Sequence, residues 1–447
     1  MEILITGMGI VSALGNNVGE TLAALQAQKS GIAPLRYLQT SHTEFPVGEV
    51  KMTNEEMMSI LQIPKDEPTT RTSLMGMLAV KEALQNAKLL DIRHPISDNP
   101  LSLIGNRKSE IKNQKSKIAF INGTTVGGMD KSEQFYLDFI ENDTKNAYIS
   151  THDCGACTEM IADYFGIFSQ VDTISTACSS AANAILLGAE LLKSGRADIV
   201  VAGGSECITK FHLNGFNTLM ILDRDPCRPF DATRAGLNLG EGAAYIVMER
   251  FPISDFRLEI SDLSHVAYRK SHIGNPNFQI VLSGYANTCD AYHQTASSPD
   301  GEGAYLAMKK ALEEANLQPQ DIDYINAHGT GTENNDVSEG TAIVRLFGEN
   351  IPPVSSTKSF TGHTTSAAGC VESVISILAL QHNFIPVNLN FKEKMPELPF
   401  EPYNTCHCGR SVSEAELLDP QSPELQHILC NSFGFGGNDT SLIFSKI

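Results

Sequence analysis

The sequence predicts an α/β protein built of stacked sheets and helices, an αβα-layered architecture, and three observations carry that expectation. Strand-like apolar runs alternate with helical patterns along the chain. Glycines cluster where those runs end. Two distant segments, "CSSAANAILLGAELL" from Cys178 and "TTSAAGCVESVISILAL" from Thr364, enter apolar helices through the same Ser-Ala-Ala tripeptide, a weak internal echo that suggests a duplicated fold.

Taken in order, "MEILITGMGIVSALG" reads as a strand entering a glycine turn. "SKIAFIN", "VDTISTA" and "DIVVAGG" are the strand candidates of the first half, and "FQIVLSGYA", "IDYINAHG" and "TSLIFSKI" those of the second. Residues 89–117 are polar and interrupted by proline, which predicts a surface excursion, and the stretch around "NFKEKMPELPFEPYNTCHCGR" reads as loop.

Composition narrows the function classes. The 447 residues are 42% hydrophobic and 19% charged, and no apolar run reaches the roughly 20 residues that span a bilayer, so a globular protein without a membrane segment is expected. The N-terminus lacks a basic n-region and a small-residue cleavage site, which places the protein in the cytoplasm. In that compartment the ten cysteines are expected as free thiols. A net charge of −19 argues against a nucleic-acid partner, because phosphate binding needs concentrated Lys and Arg.

Cys178 stands where the run "TISTA" gives way to a helical pattern with apolar positions at Ala182, Ile185, Leu186 and Ala189. At a helix N-terminus the macrodipole and free N–H groups favour a thiolate, so a lowered thiol pKa is expected there; the plain alternative is a buried, inert cysteine. Three later segments supply partners: His328 in "NAHGTGTENND", Lys358 and His363 in "SSTKSFTGHTTSAAG", and the glycine-dense turn "NSFGFGGND" with Gly434, Phe435 and Gly436. Each alone is weak. Together, a thiol and two imidazoles on glycine-framed element ends suit a nucleophile with stabilisation of developing oxyanions. Zinc is the competing chemistry, since Cys154 and Cys157 form a CxxC pair and Cys406 and Cys408 flank His407. The second half is an awkward CxC and the two halves lie about 250 residues apart, so no metal is expected.

In chain order, "TACSSA", "NAHGTGT", "KSFTGHTTSAAG" and "NSFGFGGND" resemble the motifs of the β-ketoacyl-acyl carrier protein synthases, specifically the elongating Cys-His-His class, and the likeness covers nearly the whole chain. The resemblance implies a thiolase-like layered αβαβα fold of two related halves, 1–257 carrying the nucleophile and 258–447 carrying the histidines and the glycine loop. By the same resemblance, Cys178 takes an acyl group from an acyl carrier protein, and the N–H groups of Cys178 and Phe435 form an oxyanion hole, with Phe435 also a gate. His328 and His363 bind the malonyl thioester and favour loss of CO2 as neutral donors, Lys358 supports them, and Glu339 pairs with Lys358. Thr330, Thr332, Thr361 and Thr364 are implied to orient the pantetheine amides or the histidines, and Gly434 and Gly436 to bind substrate. His363 points to elongation rather than initiation, and Cys178 excludes a chain-length-factor role. No cofactor is implied beyond the phosphopantetheine of the carrier.

The implied partners are an acyl carrier protein and a second ketosynthase-like chain, in a homodimer or in a heterodimer of a polyketide or aryl-polyene system. A non-catalytic interaction protein is the rival from another class, and Cys430 leaves a thiolase proper as a weaker one; strand packing explains Cys430 more simply. Because carriers are acidic, docking to a chain of charge −19 needs a local basic patch, for which Lys65, Arg71, Arg224 and Arg228 are candidates, with scattered surface charge or a structural salt bridge as the alternative.

Overall fold

The computed structural model describes residues 2–90, 117–142, 146–251, 279–404 and 424–447. Among these residues ten strands pair in the order β3-β2-β4-β5-β1-β6-β10-β9-β7-β8. In the first half these are β1 (Glu2–Ser12), β2 (Ile118–Gly123), β3 (Gln170–Ile174), β4 (Ile199–Glu206) and β5 (Gly242–Phe251). In the second they are β6 (Ile280–Cys289), β7 (Tyr324–Asn326), β8 (Val354–Ser355), β9 (His427–Gly434) and β10 (Asn438–Lys446).

The two halves repeat one topology. Adding five to each number of 3-2-4-5-1 gives 8-7-9-10-6, the order of the second half read from its own edge. In both, the fifth strand runs antiparallel to its two neighbours while the other pairs are parallel. The halves meet through a short antiparallel contact, Ile3 opposite Leu282 and Leu4 opposite Val281.

Helices complete the layers. On the outer side of the first half, α1 (Arg71–Asn86) and α2 (Cys154–Phe165) pack together, and α1 covers β1 and β5. Two helices lie between the sheets, α3 (Ser180–Lys193) and α6 (Ala368–His382), each touching strands of both halves. On the outer side of the second half, α4 (Glu302–Ala315) covers β6 and β10 and packs on α5 (Glu333–Phe347). The result is the five-layer αβαβα arrangement of the thiolase fold. Every residue of α6 from Ala368 to Leu380 is buried, which is why its sequence is apolar all round. The Ser-Ala-Ala echo falls on the starts of these two central helices.

The strand runs through Gly7 and Gly9 to Ser12 and enters its glycine turn there, closed by the Ser12 N–H to the Gly15 carbonyl at 2.9 Å and the Gly15 N–H to the Ser12 carbonyl at 3.2 Å. Helix α1 crosses so closely that a Cβ on Gly9 would lie 2.1 Å from the Ala79 carbonyl oxygen. Gly9→Ala is therefore expected to lower stability by about 1–3 kcal/mol through overpacking, read as a lower urea midpoint; an unchanged midpoint would mean that α1 moves aside freely.

The boundary at 257/258 lies outside the described residues, as do positions 91–116 of the expected excursion and the Cys406–His407–Cys408 cluster. Among the described residues, eight cysteines are free thiols and no helix is long and apolar enough to cross a membrane.

Candidate active site

The duplicated topology brings the candidate residues together. Cys178 stands between β3 and α3, and His363 stands between β8 and α6, which is the same junction in the other half. His328 follows β7, and the turn Gly434–Gly437 joins β9 to β10. All lie beyond strand ends, where α/β sheets leave crevices.

At the first junction the chain turns sharply. Ala177 has φ of +51°, a left-handed conformation that non-glycine residues seldom adopt. Serine side chains hold it there: Ser180 Oγ accepts from the Thr176 N–H at 2.9 Å and donates to the Ala177 carbonyl at 2.7 Å. Ser179 Oγ donates to the Thr176 carbonyl at 2.8 Å. Cys178 thus precedes α3 by two residues, with Sγ 3.1 Å from His363 Nε2 and the Phe435 N–H close enough to the sulfur to favour its charged form. Gly434 is required at the facing strand end, because a Cβ there would fall 2.8 Å from the Thr176 carbonyl oxygen.

The thiol's acidity differs from the sequence expectation. Burial pushes the Cys178 thiol up to about 11, outweighing the Lys358 charge and the Phe435 N–H, which pull it down. The resting sulfur is therefore a protonated thiol facing an imidazole, not a free thiolate.

That imidazole is neutral. Burial, then the nearby Lys358 charge, hold both His328 and His363 well below the ordinary histidine range. Their rings meet edge to face, centroids 5.3 Å apart. Lys358 Nζ lies 3.2 Å from His328 Nδ1. A lysine ammonium only donates, so Nδ1 accepts and the His328 proton sits on Nε2.

The partner of Lys358 is a correction. Its ammonium is ion-paired with Glu372 on α6, not with Glu339. Glu339 instead accepts from the backbone N–H groups of His328 at 2.8 Å and Gly329 at 2.7 Å and from Asn431 Nδ2 at 3.0 Å, which clamps the His328 loop to β9. Sequence reasoning passed over Glu372, yet "AGCVESVISILAL" signals it: one carboxylate in a helix otherwise free of charge has to meet a partner.

A cavity of about 350 Å³ joins these groups to solvent, lined by Cys178, His328, His363, Phe435, Thr330 and Thr332 among others. It opens beside Met220, whose side chain is 86% exposed. The Thr330 and Thr332 hydroxyls lie 2.9 Å apart on its wall, and Phe435 stacks on Phe216 with centroids 6.0 Å apart. Thr361, Thr364 and Gly436 do not line it. Thr361 is buried and donates to the Gly362 carbonyl at 2.8 Å, Thr364 is buried beside His363, and Gly436 is exposed on the turn.

Two docking candidates also turn out to be structural. Arg71 Nη2 lies 2.6 Å from Glu241 and Arg228 Nη2 lies 3.3 Å from Asp223, and all four side chains are largely buried, so neither arginine is a free surface cation. Lys65 and Arg224 are exposed. Cys430 is buried in β9, within the central core. Cys154 and Cys157 sit on the first turn of α2, and among the described residues no group of three His, Cys, Asp or Glu side chains is placed to hold a metal ion.

A buried thiol against one neutral imidazole, at equivalent junctions of a duplicated αβαβα frame, with a second neutral imidazole packed on the first, defines an acyl-transferring condensing enzyme of the thiolase fold. The chain belongs to the β-ketoacyl synthase family: residues 1–252 match the N-terminal domain of beta-ketoacyl synthases and residues 280–392 the C-terminal domain. It is 31% identical to the putative mitochondrial 3-oxoacyl-[acyl-carrier-protein] synthase of Schizosaccharomyces pombe, covering 100% of this chain and 99% of that one. Among solved structures it is similar to the ishigamide ketosynthase/chain length factor, at a TM-score of 0.81 and 25% identity over 100% of this chain and 99% of the other. It is also similar to a ketosynthase in complex with its chain length factor from Xenorhabdus doucetiae, at a TM-score of 0.75 and 28% identity over 100% and 98%.

Proposed function

We propose that the protein condenses an acyl group held on Cys178 with malonyl-acyl carrier protein, releasing CO2 and giving 3-oxoacyl-acyl carrier protein. The observation that carries this reading is the convergence of Cys178, His328 and His363 on one cavity. In the first half-reaction His363 Nε2 takes the thiol proton as sulfur attacks the acyl thioester. The N–H groups of Cys178 and Phe435 receive the developing oxyanion, a contribution of about 3–4 kcal/mol per donor in comparable acyl transfers. The pantetheine sulfur leaves with that proton.

In the second, His328 Nε2–H and His363 donate to the malonyl thioester oxygen. Loss of CO2 leaves an enolate whose carbon attacks the acyl-enzyme, and the Cys178 sulfur departs as a thiolate that takes up one proton from solvent to restore the resting thiol. His363 Nδ1 has no hydrogen-bond partner among the described residues, so neither tautomer is locked and Nε2 can accept in one step and donate in the other. This chemistry calls on no group beyond the carrier's phosphopantetheine.

Incubation with a panel of acyl-loaded carriers, followed by intact mass measurement, tests the reading. The expected result is one acyl adduct on Cys178 that malonyl-carrier discharges with release of CO2; no adduct from any primer would overturn it. A pH dependence follows as well. Burial raises the Glu372 carboxyl to about 7 against the pull of Lys358, so it is ionised above that pH and neutral below. As pH falls through about 7 the Lys358 ammonium loses its counter-charge, and kcat is expected to decline there, whereas the histidines stay neutral to much lower pH. A flat profile from pH 8 to 6 would contradict this.

Fatty acid synthesis is the primary setting. A second setting, a ketosynthase subunit working with a chain-length-factor-like chain, is favoured by the solved relatives described above and by the sheet edge at β3. Among the described residues strand β3 pairs with β2 alone, and Val171 on it is exposed, as are Tyr136 and Leu137 on the helix Met129–Asn142. Such an edge invites strand pairing with a second chain. The place of action we propose is the cytoplasm, where soluble carriers meet the site.

A further inference from the structure

We infer that Glu206 is a positioning residue for His363, acting through Ser366. Glu206 ends β4 and is fully buried, and among the described residues it has no Lys or Arg within ion-pair distance. Its carboxyl oxygens are held by hydrogen-bond donors alone among the described residues. On the first-half side these are the Thr125 N–H at 2.7 Å, the Thr125 hydroxyl at 2.6 Å, the Thr124 hydroxyl at 3.0 Å and the Val126 N–H at 3.1 Å. On the second-half side the Ser366 hydroxyl donates to Oε2. One carboxylate therefore ties the end of β2 to the turn that carries His363, three residues before Ser366.

The turn needs such a tether for two reasons. First, Thr365 has φ of +47°, a left-handed conformation that a β-branched residue holds only when its surroundings over-determine it. Second, among the described residues the His363 ring has no hydrogen bond on its far nitrogen to aim it. Its direction depends on where the backbone sits. Before the strained residue that backbone is fixed by the His363 N–H to the Asn238 carbonyl at 2.7 Å and by the Gly240 N–H to the His363 carbonyl at 2.8 Å. After it, the local turn is closed by the Ala367 N–H to the Thr364 carbonyl at 3.1 Å, and the side chain that ties it to the first half is Ser366 on Glu206. Without that anchor Thr365 is free to relax, and Nε2 leaves its 3.1 Å position beside Sγ.

The inference rests on the role proposed for His363, and the test separates the two. CO2 release from malonyl-acyl carrier protein is measured at steady state over a range of carrier concentrations for Ser366→Ala, Glu206→Gln, His363→Ala and the Ser366→Ala/His363→Ala double variant. Ser366→Ala is expected to lower kcat roughly ten- to hundredfold with KM within about twofold, because a small misplacement of a reacting group is costly. Glu206→Gln should follow it; should that variant fail to fold, Ser366→Ala alone carries the test, and its thermal midpoint is expected to stay near that of the parent. In the His363→Ala background the serine change should cost nothing further, since a positioning residue has no effect once its target is gone. A Ser366→Ala rate within twofold of the parent, or an equal loss with and without His363, would overturn the tether while leaving the site reading intact. An undiminished rate in His363→Ala would instead overturn the site reading itself.

Discussion

Cys178→Ala is expected to lower condensation by at least roughly a thousandfold while leaving CO2 release from malonyl-carrier within about an order of magnitude of the parent rate. The two outcomes separate because they use different groups. Acyl transfer needs a sulfur to hold the chain, and among the described residues no other thiol lines the cavity. Decarboxylation needs only donors at the thioester oxygen, and His328 with its Lys358 and Glu339 contacts is untouched by the change. Loss of the thiol also relieves His363 of its 3.1 Å neighbour, so Nε2 remains available to donate. Intact mass and CO2 counting on one preparation check both halves. A variant that still accumulates an acyl adduct would place the nucleophile elsewhere. Equal loss of both activities would mean that sulfur, not the imidazoles, organises the decarboxylation step.

Which parts were legible in the sequence follows from which forces leave local marks. The run from "VDTISTA" into "SSAANAILL" reads as strand then helix because period and composition change within a few residues, and β3 and α3 lie there. The meeting of Cys178 with His363, 185 positions apart, was legible only through family resemblance, since no local pattern encodes a contact between halves. Three quantities were misread because they depend on what lies across a gap. The helix end that favours a thiolate is visible in the chain, but the desolvation that outweighs it at Cys178 is not. Arg71 counts as a surface cation until Glu241, 170 residues away, is found against it. Glu339 and Glu372 are both buried carboxylates near the histidines, and only the layering of α6 between the sheets decides which one meets Lys358.

That pairing governs the second large effect. Lys358 and Glu372 are each almost fully buried, at 1% and 2% side-chain exposure, so their mutual attraction offsets two desolvation penalties. Glu372→Ala is expected to cost about 3–5 kcal/mol, because it strands an ammonium among apolar helices. Lys358→Ala should cost less. Glu372 is already raised to about 7, and without the lysine it simply keeps its proton at neutral pH. Removing both charges with residues of similar volume, Lys358→Met with Glu372→Leu, should restore the urea midpoint to near the parent value, since a well-packed apolar pair can replace a buried ion pair. Activity should not return with it. The lysine is the donor at His328 Nδ1, and without it the imidazole loses the contact that keeps its proton on Nε2, facing the substrate oxygen. The double variant therefore separates two roles that each single change confounds: a stable protein with kcat reduced at least roughly tenfold assigns Lys358 to the orientation of His328. A stable protein with parental kcat would show that the pair serves folding alone, and that His328 is aimed by the Glu339 clamp on its backbone.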